Sequence, residues 1–253
     1  MKYCILASGS RGNSIYVEGR DTRVLIDVGL SAREIENRLR SKNLDPAAID
    51  AVILTHAHND HVKGVGVFAN RYKIPVYGHP ETLDGITRLL KPGQKVQATN
   101  GPFQFRSIHL TPFRVPHDCE PTHGFLVQED GRVLAICTDL GYVTPDIRAH
   151  LKQAHALILE SNHDPEMLMG GPYPFHLKDR IAGRTGHLSN HNAGELLQEL
   201  IGPHIRQVVL GHLSNENNTP ELALNTVRRY ISPEYHSRLS VIEQRTVSEV
   251  YHL

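Results

Sequence analysis

Short apolar runs separated by glycine-rich turns fill the first thirty residues. Tyr3–Leu6, Ile15–Val17 and Val24–Val28 alternate with Ser8-Gly-Ser-Arg-Gly-Asn-Ser14 and Gly19-Arg-Asp21. Runs of this length, bounded by turn residues, predict strands meandering into a sheet. The period then changes: Ser31 and Glu34 form a capping box, Ile35 and Leu39 fall on one helical face, and a helix is predicted to about Lys42. Ala51–Leu54 predicts the next strand. A helix after His61, a strand near Val76-Tyr77 and a helix from Pro80 to Leu90 follow.

Beyond residue 100 the pattern begins again with strands, at Phe103–Phe105, Ser107–Val115, Gly124–Val127, Val133–Cys137 and Ala156–Glu160. Helices are predicted at Asn190–Leu200 and, behind Thr219-Pro220, at Glu221–Tyr230. Strands followed by helices, twice over, suit an αββα sandwich: two packed mixed sheets with helices outside. A doubly wound parallel sheet would alternate the two strictly. At 253 residues the expectation is a single α/β domain over 1–253.

Composition narrows the setting. The 27 basic and 27 acidic residues cancel, so a polyanionic partner would need a local basic patch. No apolar stretch is long enough for a membrane span, and Met1-Lys-Tyr-Cys-Ile-Leu-Ala7 begins a strand without signal-peptide features, so the expected place is the cytoplasm with no membrane partner. Cys4, Cys119 and Cys137 are widely spaced and form no CxxC, which fits reduced thiols.

The densest chemistry lies at Thr55-His-Ala-His-Asn-Asp-His61, where three imidazoles and a carboxylate fall within six positions at a strand end. If the chain leaves the strand extended, His56 and His58 share one face, and Asp60 and His61 address a second ion from a helix start. Imidazole with carboxylate suits zinc, manganese or iron, and the absence of cysteine argues against a closed structural zinc site. Further candidate ligands stand at later strand ends: His117, Asp139 and His212. Seven ligands serve two divalent ions. One division gives His56, His58 and His117 to one ion, Asp60, His61 and His212 to the other, with Asp139 bridging. The loop Gly9-Ser-Arg-Gly-Asn-Ser14 lacks the Lys-Ser/Thr ending of a phosphate-binding P-loop and reads as a hairpin turn. Glu160, Asn162 and His163 follow a strand, with no role assigned.

In order, Asp27 in Leu25-Ile-Asp-Val-Gly29, the His-x-His-x-Asp-His run, His117, Asp139 in Thr138-Asp-Leu-Gly141 and His212 resemble the five motifs of the metallo-β-lactamase superfamily. That resemblance implies the αββα sandwich and a dinuclear site, with Asp27 orienting ligands without being one. Gly9-Ser-Arg-Gly-Asn-Ser14, Val115-Pro-His-Asp-Cys119 and the paired Gly186-His-Leu-Ser-Asn190 and Gly211-His-Leu-Ser-Asn215 are similar to the WalJ (YycJ) group, itself related to RNase Z and the PhnP phosphodiesterases. The implied activity is 5′-to-3′ DNA exonuclease. RNase Z relatives carry a long arm that grips tRNA, and no segment here is long enough for one.

The same resemblance assigns His187 the part of general acid, protonating the leaving oxygen while a metal-bound hydroxide attacks phosphorus. Asp60 and His187 are therefore the candidate catalytic residues, Asp60 being also a ligand. Lys178, Arg180 and Arg184 precede His187 in what reads as a charged loop, and would hold backbone phosphates of a nucleic acid, DNA being favoured. Other readings are a thioester or lactone hydrolase of the hydroxyacylglutathione type, a small-molecule cyclic phosphodiesterase, or a scaffold that has lost catalysis. The thioesterases usually follow the third-motif histidine with Thr-x-Gly-Ser or Thr-x-Gly-His, whereas Asp118-Cys-Glu-Pro121 follows His117. A scaffold loses ligands, and none is missing. Oligomeric state is not written in the pattern; a homodimer is one arrangement.

Overall fold

The computed structural model describes residues Met1–Leu253. Its packing falls into two compact units. The first comprises Met1–Pro112, Gln128–Asp130 and Gln244–His252; the second comprises Phe113–Val127, Gly131–Glu243 and Leu253.

The first unit opens with the expected meander: β1 (Lys2–Ala7), β2 (Ser14–Glu18) and β3 (Arg23–Ile26), paired antiparallel. Helix α1 (Ala32–Ser41) starts at the expected N-cap, with Ser31 Oγ accepting from the Glu34 amide at 3.2 Å while the Glu34 carboxylate accepts from Arg38, and buries Ile35 and Leu39 completely. Strand β4 (Ala51–Ile53) pairs parallel to β3. The helix expected after His61 is two, α2 (Asn59–Val62) and α3 (Val65–Tyr72), because the Gly64 amide turns aside to the Val28 carbonyl at 2.8 Å. Strand β5 (Val76–Gly78) joins parallel to β4. Helix α4 (Pro80–Gly85) stops at its glycine, short of Leu90, and Thr87–Leu89 tighten into a 3₁₀ turn. β6 (Val96–Ala98) is exposed along its length, so it shows none of the alternation that marks a half-buried strand. β7 (Phe103–Phe105) and β8 (Ile108–Arg114) form an antiparallel hairpin.

The second unit runs through β9 (His123–Glu129), β10 (Arg132–Cys137), α5 (Pro145–Leu151), β11 (Ala156–Glu160), α6 (Pro165–Gly170), α7 (Phe175–Ala182), α8 (Asn190–Leu200), β12 (Gln207–Gly211), α9 (Pro220–Arg228) and β13 (Leu239–Val241). β10 to β13 pair parallel in sequence order, and β11 is buried at every position, as strands covered on both faces require. Finally β14 (Tyr251–His252) returns antiparallel to β1. The two sheets, in the orders β14-β1-β2-β3-β4-β5-β6 and β13-β12-β11-β10-β9-β8-β7, are both mixed, as expected.

Each unit has its own core. Leu25, Ile35, Val52 and Phe68 pack in the first; Leu126, Ile147, Leu159 and Leu197 in the second. The segment holding Lys178 and Arg180 is helix α7, not the charged loop expected, and none of its residues is buried. Its apolar face is too thin to produce a helical period in the sequence. What positions the chemistry is the parallel strands: the turns leaving β3, β4, β10 and β12, and the last residue of β11, carry Asp27, Glu160 and every candidate metal ligand but His117.

Candidate metal centre

In the first unit, three turns are laced together by backbone hydrogen bonds. Asn13 N donates to the Asp60 carbonyl at 2.7 Å, Gly29 N to the Asn13 carbonyl at 2.8 Å and Val28 N to the His61 carbonyl at 2.9 Å. A Cβ on Gly29 would lie 1.7 Å from the Asp60 carbonyl oxygen, so only glycine allows this approach. Asp27, the residue after β3, is turned into the left-handed region at φ 63° and aims its carboxylate beneath the His-x-His run. Its Oδ1 accepts from Thr55 N at 2.9 Å; its Oδ2 accepts from Thr55 Oγ1 at 2.8 Å and from His61 Nδ1 at 2.7 Å. His56 and His61 are buried, their ring centroids 4.0 Å apart, and His58 stands edge-on to His56 at 4.8 Å. Asp60 lies alongside, its Oδ2 3.6 Å from His61 Nε2. His56, His58, Asp60 and His61 are thus gathered in one place.

The second unit gathers its residues from strands far apart in sequence. Asp139 after β10 and His212 after β12 both take left-handed backbone, at φ 60° and 55°. Asp139 Oδ1 lies 3.3 Å from His212 Nε2 and 3.9 Å from His117 Nε2. Beneath them sits Glu160, fully buried at the end of β11. Its Oε1 accepts from His212 Nδ1 at 2.7 Å and from His187 Nδ1 at 2.8 Å, and its Oε2 accepts from the amides of Leu140 at 2.9 Å and Leu188 at 3.2 Å. Burial pushes this carboxyl up, but the His187 charge and the imidazole hydrogen bonds outweigh it and hold Glu160 below the usual carboxylate range. Candidate ligand atoms of Asp139, Glu160, His187 and His212 all fall within 4.8 Å of one another.

The paired Gly-His-Leu-Ser segments explain how two histidines reach one carboxylate. Residues 161–163 run between them, with Ser161 N donating to the Gly211 carbonyl, Asn162 N to Leu188, Ser214 N to Asn162 and Asn190 N to His163. Asn218 Nδ2 ties the assembly through the carbonyls of Ser161 and Asn162 and the Asn190 side chain, at 2.8 to 3.0 Å. The His187 loop is also seated on Gly141, where a Cβ would come within 2.3 Å of the Arg184 carbonyl oxygen.

The donor set fits a divalent cation. His117 points Nδ1 at the Gly186 carbonyl, 3.2 Å away, so Nδ1 carries the proton and the lone pair is on Nε2. Burial pushes its pKa below the ordinary value in spite of Asp139, which makes the neutral ring the resting form. A neutral nitrogen lone pair facing carboxylates, Asp139 at 3.9 Å and Asp118 at 3.4 Å, is repulsive until a cation lies between them. In His61 and His212 likewise, Nδ1 is engaged by a buried carboxylate and Nε2 faces the candidate ligands, the arrangement that orients ligating imidazoles.

The basic candidates are placed apart from this cluster's centre. Arg180 grips Asp118, beside His117, with Nε at 2.6 Å and Nη2 at 2.5 Å from Oδ2. The Arg184 guanidinium lies 4.1 Å over the Tyr142 ring, and Lys178 Nζ donates to the Met169 carbonyl at 2.7 Å. Two polar residues entered the geometry without a role read for them in the sequence. Glu160 had only its strand-end position as a signal. Asn13, whose Nδ2 lies 3.2 Å from Asp60 Oδ2 and 2.9 Å from His61 Nε2, was hidden inside a glycine-rich turn.

Histidines and carboxylates gathered at strand ends, with His61 and His212 braced from behind by the buried carboxylates of Asp27 and Glu160, define a metal-dependent hydrolase centre. The beta-lactamase superfamily domain matches residues 22–213, and the chain belongs to that family. It is similar to the exodeoxyribonuclease WalJ of Streptococcus pneumoniae serotype 2 (strain D39 / NCTC 7466), with 36% identity over 232 residues, 89% of this chain and 86% of that protein. It is similar also to the exodeoxyribonuclease YycJ of Bacillus anthracis, with 34% identity over 235 residues, 91% of this chain and 89% of that protein. Among solved structures, the metallo-beta-lactamase fold protein YhfI from Bacillus subtilis superposes with a TM-score of 0.76 at 17% identity, covering 98% of this chain and 99% of that one. That likeness shows the metallo-β-lactamase fold that the motif order implied.

Proposed function

We propose that this chain hydrolyses phosphodiester bonds in nucleic acid, as a 5′-to-3′ DNA exonuclease working with two divalent ions, whether zinc, manganese or iron. The names of the two exodeoxyribonuclease relatives support DNA as the polymer. His56, His58 and His117 would hold one ion, Asp60, His61 and His212 the other, with Asp139 shared. Divalent ions there would neutralise phosphate charge and make a bound water acidic enough to supply the nucleophile near neutral pH.

The observation that carries the nuclease reading is the His187–Glu160 hydrogen bond. Thioesters leave as stable thiolates, but a DNA strand leaves as an alkoxide and needs a proton. His187 is suited to give it: Glu160 accepts a hydrogen bond from Nδ1–H and fixes the ring, so Nε2 can hold a second proton, and 22% exposure lets substrate approach. Because Glu160 accepts from His212 with the same oxygen, the acid is held in register with a candidate metal ligand.

His187→Ala should lower turnover of DNA by about 10²- to 10⁴-fold while leaving metal content unchanged. Its loss on bis-p-nitrophenyl phosphate, whose leaving group needs no proton, should be far smaller. Equal losses on both substrates would remove His187 from the acid role. Digestion of end-labelled single- and double-stranded DNA and RNA with each metal tests polymer and direction, and turnover of a thioester but no phosphodiester would overturn the reading outright.

A further inference from the structure

Helix α7 presents a feature that the chemistry above does not use. Phe175, its first residue, is 73% exposed, and Met169 at the end of α6 is 55% exposed. A lone apolar side chain on a surface needs no explanation, but these two flank one cation. Lys178 lies on the same face of α7 as Phe175, three residues on, and its ammonium reaches back to the Met169 carbonyl at 2.7 Å. An ammonium has three donors, so this bond leaves two of them to a ligand.

The opposite end of α7 is clamped to the candidate centre. Arg180 holds Asp118, next to His117, and the His187 amide donates to the Ile181 carbonyl at 2.9 Å. From Phe175 to Ala182 the helix rises roughly 10 Å at about 1.5 Å per residue. That distance spans roughly three stacked nucleotides at about 3.4 Å each. Lys178, Arg180 and Arg184 outnumber Asp179 along the segment, so its charge complements a polyanion.

We propose that Phe175 is a stacking platform for an unpaired base of the nucleic-acid strand being digested, with Lys178 holding a neighbouring phosphate; the inference deepens the nuclease reading and rests on it. An exposed ring beside a half-buried cation that keeps two donors, at a fixed distance from the hydrolytic centre, would grip a strand without reading its sequence. Base stacking of this kind is worth about 5- to 150-fold in binding.

The test measures anisotropy of a fluorescent single-stranded oligonucleotide with phosphorothioate linkages, so that hydrolysis does not intervene. Phe175→Ala should weaken binding by about 5- to 150-fold, Phe175→Trp should restore it, and an abasic oligonucleotide should bind the unaltered protein as weakly as the alanine variant binds the normal one. Equal binding by Phe175→Ala and the unaltered protein, or of abasic and normal strands, would overturn the proposal. So would light scattering in which Phe175→Ala converts a larger species to monomer, since the ring would then meet a second copy of the chain. Turnover of bis-p-nitrophenyl phosphate by the unaltered protein separates the two layers: with that turnover present and the stacking effects absent, the nuclease reading survives and the platform does not.

Discussion

Around His61, four candidate ligands lie within six consecutive residues, whereas around His212 the fold collects them from the ends of three parallel strands and two loops. The supports are the same in kind. Asp27 accepts the His61 Nδ1 proton at 2.7 Å; Glu160 accepts from His212 at 2.7 Å and from His187 at 2.8 Å. The numbers of dependants differ. Asp27 also anchors Thr55 and serves ligand geometry alone, while one oxygen of Glu160 serves a candidate ligand and the candidate acid together. In the first cluster a brace can fail without touching proton transfer; in the second it cannot.

Glu160→Gln should therefore give the largest effect. The amide can keep its carbonyl oxygen on the Leu140 and Leu188 amides, so the fold survives. Its NH₂ then faces two Nδ1–H donors, and both imidazoles must move the proton to Nε2, where His212 can no longer ligate and His187 loses its orientation. We expect turnover of DNA to fall by about 10²- to 10⁴-fold, as for loss of a general acid, together with weaker metal retention. Unchanged turnover with unchanged metal would mean that Glu160 only packs.

The contrast between the clusters also explains what could be read from the chain. The first cluster was readable because its donors are neighbours in sequence and its strand is short and wholly apolar. His117, Asp139 and His212 were readable only as an ordered set, since each alone is an ordinary strand-end residue. Glu160 was not readable. A carboxylate ending an apolar strand looks the same whether it meets water or two imidazoles, and only the register of β10, β11 and β12 decides which. The same limit applies to the fold. Amphipathic α1 and α8 match expectation closely, Asn190–Leu200 to the residue, while α5 and α6 are short helices started by the Thr144 and Asp164 caps and α7 is short, uncapped by a side chain and without a buried face.

Acid should expose the second cluster's support before its ligands. His163, in the segment between the two Gly-His-Leu-Ser loops, is buried, and its Nδ1 has no hydrogen-bond partner. Burial pushes its pKa from 6.5 down to about 4. Between those values the unfolded chain binds a proton that the folded chain refuses, so stability falls as pH drops from 6.5 towards 4 and is unaffected above that window. By pH 5 the loss from this group amounts to roughly 2 kcal/mol. Denaturant unfolding at pH 7.5 and pH 5 should show a smaller acid-induced loss for His163→Gln than for the unaltered protein. Parallel losses would place the acid sensitivity elsewhere.

Asp27→Asn should produce the smallest effect and the most selective one. An asparagine can still accept from Thr55 N through its carbonyl, but its amide faces the His61 Nδ1 proton and forces the ring into the other tautomer. The proton then sits on Nε2, the atom nearest Asp60, and the ligand set loses one lone pair. We expect about 10- to 100-fold weaker metal affinity, the usual cost of losing a carboxylate behind a ligating histidine. Turnover should return when metal is raised in proportion, because the candidate acid, His187, is braced by Glu160 and not by Asp27. Metal titrations of Asp27→Asn and Glu160→Gln, read as turnover against free metal, separate the two braces. Saturation should restore the first variant and leave the second impaired; a shared response would show that both carboxylates serve metal binding alone.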